Sequence, residues 1–144
     1  WEQYSSGNAL VAFVRARVET EEYAGCALDE LAAGDPLKIT GPAVTAAAAR
    51  GDALALAAYE SVGSWLGVGM AGLVAAFDPE LLVVGGGVST AGDLLLAPAR
   101  TALEASLVGR LHREVPQIVA TAFGAEAGVV GASILARRLT ASQS

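Results

Sequence analysis

Three consecutive glycines, Gly85, Gly86 and Gly87, follow the apolar run Leu81–Val84 and lead into Val88. Glycine lacks the Cβ that keeps a backbone away from a planar or phosphorylated ligand, and in open α/β sheets ligands bind beyond the carboxyl ends of the strands. The triplet is not a P-loop, because no Gly-Lys-Ser/Thr follows, and Val88, Ser89 and Thr90 break any Gly-x-Gly-x-x-Gly series. Taken alone, it fits a tight strand-to-helix turn as well as a ligand loop. Glu2 is the second candidate: an ionised carboxylate accepts hydrogen bonds and suits vicinal sugar hydroxyls, although the position also fits a solvated acid ahead of a helix. His112, in "GRLHREVP", has charged neighbours but no Cys, Ser or carboxylate pattern to complete a nucleophilic triad or a metal set, and reads as surface. Cys26 is the single cysteine, so it forms no internal disulfide or metal cluster by itself. It reads as a small buried apolar residue in a reducing cytoplasm.

The chain around these residues is oily and acidic. Its 144 residues allow one domain, or a piece of one. Hydrophobic residues make up 53%, charged residues 17%, and the mean hydropathy is +0.50, so much of the surface is expected to be covered by something outside this chain. A net charge of -6, a pI near 4.6 and a single lysine, Lys38, argue against a nucleic-acid surface, which needs clustered cations. Arg137 and Arg138 suit a helix C-terminus. No basic start followed by an apolar run marks a secretory leader. The stretch 61–77 is uncharged, with Gly63 and Gly67 four residues apart. It falls short of the roughly 20 residues a bilayer requires, and Glu60 and Asp78 flank it in place of basic anchors. It is expected to be a buried helix whose glycines admit another backbone, with no membrane partner.

Apolar spacing places a first helix over 8–18, with Leu10, Val11, Val14 and Val18 on one stripe and Ser5, Ser6 and Asn8 as candidate caps. Residues 19–38 are acidic, are broken by Gly25, Gly34 and Pro36, and predict a solvated excursion with one short helix. Thr40 and Pro42 open a second long helix that Gly51 stops, and Asp52 caps a third that ends at Asp78-Pro79. "ELLVV" predicts a strand buried on both faces of a parallel sheet. A helix over 91–107 follows, tolerating Pro98 in its first turns, then a strand in "QIVATAF" and a last helix with Glu126 in its first turn. Strand, helix, strand implies a right-handed crossover. Two strands are too few for a covered parallel sheet, so further strands are expected upstream of Trp1.

"WEQYSSGNAL", the alanine-rich helix pair, "FDPELLVVGGGVSTAGDLLLAPAR" and "FGAEAGVVGASILA", in this order, resemble the C-terminal part of the ROK family (repressor, open reading frame, kinase). Its bacterial glucokinases give the nearest match. The resemblance implies an α/β fold: the helix-rich part of a ribonuclease-H-like lobe of the actin, hexokinase and Hsp70 superfamily, with short parallel strands covered by helices. Residues 1–144 would be the C-terminal portion of the large lobe, with 125–144 the terminal helix returning toward the small lobe. It implies ATP-dependent phosphorylation of glucose at its 6-hydroxyl. Glu2 would then contact the sugar, and Gly85, Gly86, Gly87 and Val88 would form the adenosine-side loop. ATP and Mg²⁺ are implied for the complete protein, along with a structural zinc, a cytoplasmic location and homo-oligomerisation.

Several family segments have no counterpart in these residues: the Asp-x-Gly-Gly-Thr phosphate loop, the aspartate base, the Glu-x-Gly-His sugar segment and the cysteine-rich zinc segment. Phosphoryl transfer is mainly positioning and charge stabilisation, so this chain alone is expected to be inactive, with no catalytic residue of its own. The missing N-terminal part of the same protein is its expected partner. The alternatives are a sugar-sensing ROK repressor on the same fold, and an unrelated membrane or interaction module built around 61–77.

Overall fold

A computed structural model describes residues 1–141; the last three residues of the 125–144 segment lie outside the described residues. Helix α1 (Gly7–Arg15) starts at Ser6, whose extended backbone lets Oγ accept the Ala9 N–H at 3.2 Å. Of the other two candidate caps, Ser5 turns its hydroxyl to the Trp1 carbonyl and Asn8 lies inside the helix. The α-helix ends before Val18, but a closing turn still carries Val18 into the core beside Leu10 and Val14.

Residues 19–38 are mostly exposed, as their charge suggests, and hold one short α-helix. Helix α2 (Ala27–Ala32) buries Leu28 and Ala32. Cys26 is not a buried apolar residue: it is half-buried and caps α2, its Sγ accepting the Asp29 N–H at 3.4 Å. Burial pushes its thiol above the usual range, outweighing the backbone N–H groups that pull it down, so the neutral thiol is held at neutral pH. Arg15 fastens the following turn (Pro36–Lys38) to α1, donating from Nη2 to the Leu37 and Ile39 carbonyls at 3.0 and 2.8 Å.

Thr40, Pro42 and Gly51 bound α3 (Gly41–Ala49) as their types require, with Gly51 at φ +85° in the corner. Asp52 then serves two helices. Its Oδ1 accepts the Ala55 N–H of α4 (Ala53–Phe77) at 2.9 Å, and its Oδ2 accepts the Leu28 N–H of α2 at 3.4 Å. Asp52→Ala leaves a helix terminus uncapped and a buried N–H unpaired, which is expected to destabilise the protein by about 2–3 kcal/mol. Asp52→Asn, which keeps one oxygen acceptor, should lose less. Urea denaturation of the two variants against the parent checks the order.

α4 is long and apolar enough to cross a membrane by length and composition, but one of its faces is the spine of the core. Helix α5 (Asp93–Ser106) lies on that face. A Cβ at Gly63 would stand 2.6 Å from the Leu95 carbonyl oxygen, and one at Gly67 would overlap the Ala99 carbonyl, so both glycines admit the α5 backbone. The opposite face leaves Trp65, Val68, Leu73 and Phe77 exposed, so α4 is buried on one side only. It ends at Asp78 in the left-handed region, φ +47°, ahead of Pro79. Arg113 clamps that end, donating to the Val74 carbonyl at 3.2 Å and pairing with Asp78 at 3.3 Å.

Strands β1 (Leu81–Val84) and β2 (Gln117–Ala120) pair in parallel, Leu81 opposite Gln117 and Val84 opposite Ala120, with α5 as their connection. Val84 and Ile118 are buried, whereas Leu81 and Val83 are 49% and 60% exposed. The expectation of a strand covered on both faces therefore fails within this chain: alternate side chains point to opposite faces, and only one face carries a helix. α5 begins after a 3₁₀ turn (Gly87–Ala91), two residues later than expected. Pro98 consequently falls in its second turn, its ring against Gly63. Glu126 sits in a 3₁₀ turn before α6 (Ala127–Ala141) instead of in its first turn. Val129, Ile134, Leu135 and Leu139 of α6 are exposed.

Candidate functional site

Glu2 belongs to a folded turn. The Trp1 carbonyl accepts the N–H groups of Tyr4 and Ser5 at 2.8 and 3.2 Å, closing residues 1–5 on themselves. The Trp1 indole N–H donates to the Trp65 carbonyl at 2.9 Å, and its ring lies on Gly69, where a Cβ would overlap it. The Tyr4 ring packs on Trp65 with centroids 5.1 Å apart. Two aromatic anchors on α4 therefore hold the turn, and between them Glu2 is exposed, its carboxylate without a hydrogen bond or ion pair among the described residues. It lines a shallow depression with Gln3, Ser6 and Asn8 at the head of α1.

The glycine loop reaches the same helix terminus from the other side. Gly86 has φ +94° and ψ 173°, a conformation almost confined to glycine, and this turns the chain out of β1. The loop is then locked: Ser89 is buried and donates from Oγ to the Gly86 carbonyl at 2.7 Å. Nothing lies within 4 Å of where a Gly87 Cβ would stand. A Cβ at Gly7 would come 3.1 Å from Val88 Cγ2, so the first turn of α1 rests directly on the loop.

A largely apolar groove of about 710 Å³ opens between α1, α3 and the loop, lined by Gly7, Asn8, Val11, Pro42, Thr45, Tyr59, Gly87, Val88 and Thr90 among others. Asn8 stands on the rims of both the groove and the Glu2 depression. Of the residues singled out in the sequence, Glu2, Gly87 and Val88 thus gather around the head of α1. Gly85 and Gly86 shape the loop without lining the groove, and His112 is exposed outside both cavities. Sequence reading missed the α1 and α3 walls. A signal was present: Thr45 is the only polar side chain within α3, and Tyr59 is the only aromatic in α4 before Trp65.

The arrangement joins an exposed acceptor suited to polyol hydroxyls to a groove with room for a nucleoside. The pattern of the ROK family matches residues 1–139. The chain belongs to the ROK family. It is 40% identical over 137 residues to the glucokinase of Streptomyces coelicolor, covering 95% of this chain and 43% of that protein. A ROK family glucokinase from Streptomyces griseus, solved in complex with glucose and AMPPNP, superposes with a TM-score of 0.88 at 40% identity, over 96% of this chain and 44% of that one. A ROK family transcriptional regulator, homologous to the MLC protein of E. coli, shares the fold with a TM-score of 0.67 at 24% identity, over 83% of this chain and 28% of that one. The chain therefore spans a little under half the length of the ROK glucokinases it matches, and its fold is theirs, that of the actin and hexokinase superfamily.

Proposed function

We propose that the complete protein is a glucokinase that transfers the γ-phosphoryl group of ATP to the 6-hydroxyl of glucose. The observation that carries this reading is the meeting of the Glu2 turn and the glycine loop at the head of α1, with the groove beside them. Glu2 accepts hydrogen bonds from sugar hydroxyls and fixes the ring; the loop of Gly85, Gly86, Gly87 and Val88 forms the adenosine side, with the nucleoside in the groove. In the reaction the sugar oxygen forms a bond to the γ-phosphorus as the bond to the β,γ-bridging oxygen breaks and ADP leaves with that electron pair. The hydroxyl proton passes to a base outside these residues. This chain contributes positioning, which is the larger part of such catalysis.

Mg²⁺ and a structural zinc enter this reading through the family. Among the described residues no three His, Cys, Asp or Glu side chains stand together, and the Cys26 sulfur is engaged in capping α2, so neither metal is given a ligand here. In the same reading, residues 1–144 are the C-terminal portion of the large lobe and 125–144 return toward the small lobe. The exposed apolar residues of α6 and the outer face of β1 support this, being surfaces suited to burial. Homo-oligomerisation and a cytoplasmic location complete the proposal, the first supported by the exposed apolar side of α4.

The test is formation of glucose 6-phosphate by the complete protein with glucose, ATP and Mg²⁺, followed through a dehydrogenase-coupled assay. Steady ATP-dependent turnover is expected. Glucose binding without turnover, joined to sequence-specific DNA binding, would favour the sugar-sensing regulator instead.

A further inference from the structure

Three hydroxyls line the groove beside the glycine loop, and the proton of each is committed within the protein. Thr90 Oγ1 donates to the Gly87 carbonyl at 2.7 Å. Thr45 Oγ1 donates to the Gly41 carbonyl, one helical turn back, at 3.1 Å, and also lies 2.7 Å from the Tyr59 hydroxyl. A threonine hydroxyl has one proton, so both bonds at Thr45 coexist only when Tyr59 is the donor between them. The chain runs from Tyr59 O–H to Thr45 Oγ1 and from Thr45 O–H to the Gly41 carbonyl. Tyr59 is 1% exposed, so water offers its proton no competing acceptor. What these hydroxyl side chains present to the groove is lone pairs alone. The donors of the groove are other groups: the Asn8 side-chain amide is exposed at the mouth, and first-turn N–H groups belong to α1 and α3, both of which line it.

We infer that Thr45 reads the base of the nucleotide: its Oγ1, kept acceptor-only by the buried Tyr59 hydroxyl behind it, takes the exocyclic amino group of adenine and disfavours a 6-oxo purine. The inference rests on the kinase reading and adds to it the residues that set base preference. An amino group meets a lone pair, whereas a 6-oxo group sets acceptor against acceptor and leaves both unpaired in a partly desolvated groove.

ATP and ITP differ in this respect, and their kcat/KM values in the complete protein at saturating glucose measure the preference. The parent should favour ATP by about tenfold or more, the scale set by one unpaired buried polar group. Thr45→Val should lower the ATP-to-ITP ratio by about tenfold. Thr45→Ser, which keeps the relay, should hold the ratio within about twofold of the parent. If valine disturbs α3, as a melting curve would show, Thr45→Ala tests the same point. A parent indifferent to the base, or an unchanged ratio in Thr45→Val and Thr45→Ala, overturns the inference. A parent that does not phosphorylate glucose with ATP overturns the kinase reading instead; equilibrium binding of ATP against ITP then tests the hydroxyl pair by the same ratios.

Discussion

Glu2→Ala in the complete protein is expected to lower kcat/KM for glucose by about a hundredfold or more while leaving the KM for ATP within about twofold. The carboxylate is exposed and unpaired, so removing it breaks no contact among the described residues and should leave stability nearly unchanged. Its full hydrogen-bonding capacity is available to a ligand. Hydrogen bonds to a charged group are worth about 1.5–3 kcal/mol each, and two of them to neighbouring sugar hydroxyls give the predicted loss. Glu2→Gln keeps the shape but weakens the acceptor, so its loss should be smaller and of the same kind. Initial-rate kinetics with each substrate varied in turn separate the two KM values. Parallel loss for both substrates would point to a displaced turn instead of a lost contact. Trp1 holds that turn on Gly69 and Trp65, which makes the distinction measurable.

Gly67→Val is expected to be the most destabilising substitution in α4. A Cβ there overlaps the Ala99 carbonyl and comes within 2.8 Å of the Ala102 Cβ and the Leu103 nitrogen. Two of these three atoms are backbone and cannot rotate away, so α5 itself must move. Overpacking a core usually costs about 1–3 kcal/mol, and a rigid backbone obstacle places this case at about 3 kcal/mol or more. Gly72→Ala provides the opposite sign in the same helix. Nothing lies within 4 Å of a Cβ at Gly72, so alanine should stabilise by up to about 1 kcal/mol through helix propensity alone. Thermal unfolding of both variants beside the parent checks the contrast. Equal effects would mean that α5 does not lie against Gly67.

These contrasts mark what the sequence makes legible. Ser6, Thr40, Asp52 and Gly51 act through groups a few residues away, so their types reveal helix limits directly. The pair Gly63 and Gly67 in an uncharged stretch announces a close neighbour, and α5 is that neighbour. Leu81–Val84 followed by three glycines likewise marks a strand that ends in a loop. Properties that depend on distant partners are not visible in this way. Cys26 is a local exception: it caps α2 through the Asp29 N–H three residues on, but cysteine is not a residue type that announces a cap. Leu81 and Val83 look buried by composition, yet their exposure depends on which face of a two-stranded sheet carries a helix. The groove wall joins Thr45 of α3 to Tyr59 of α4 across the corner at Gly51, a contact that neither helix announces alone. The family resemblance directed attention to Glu2 and to residues 85–88; the packing of Gly7 on Val88 is what joins those two regions at one helix terminus.

Hydrogen–deuterium exchange of the complete protein, measured with glucose alone and with AMPPNP alone, tests most directly whether that terminus is where the two ligands meet. Glucose should slow exchange in peptides covering residues 1–8, and AMPPNP should slow it in peptides covering 41–46 and 85–91. Binding of both ligands with no protection in any of these segments would contradict a site built around the head of α1.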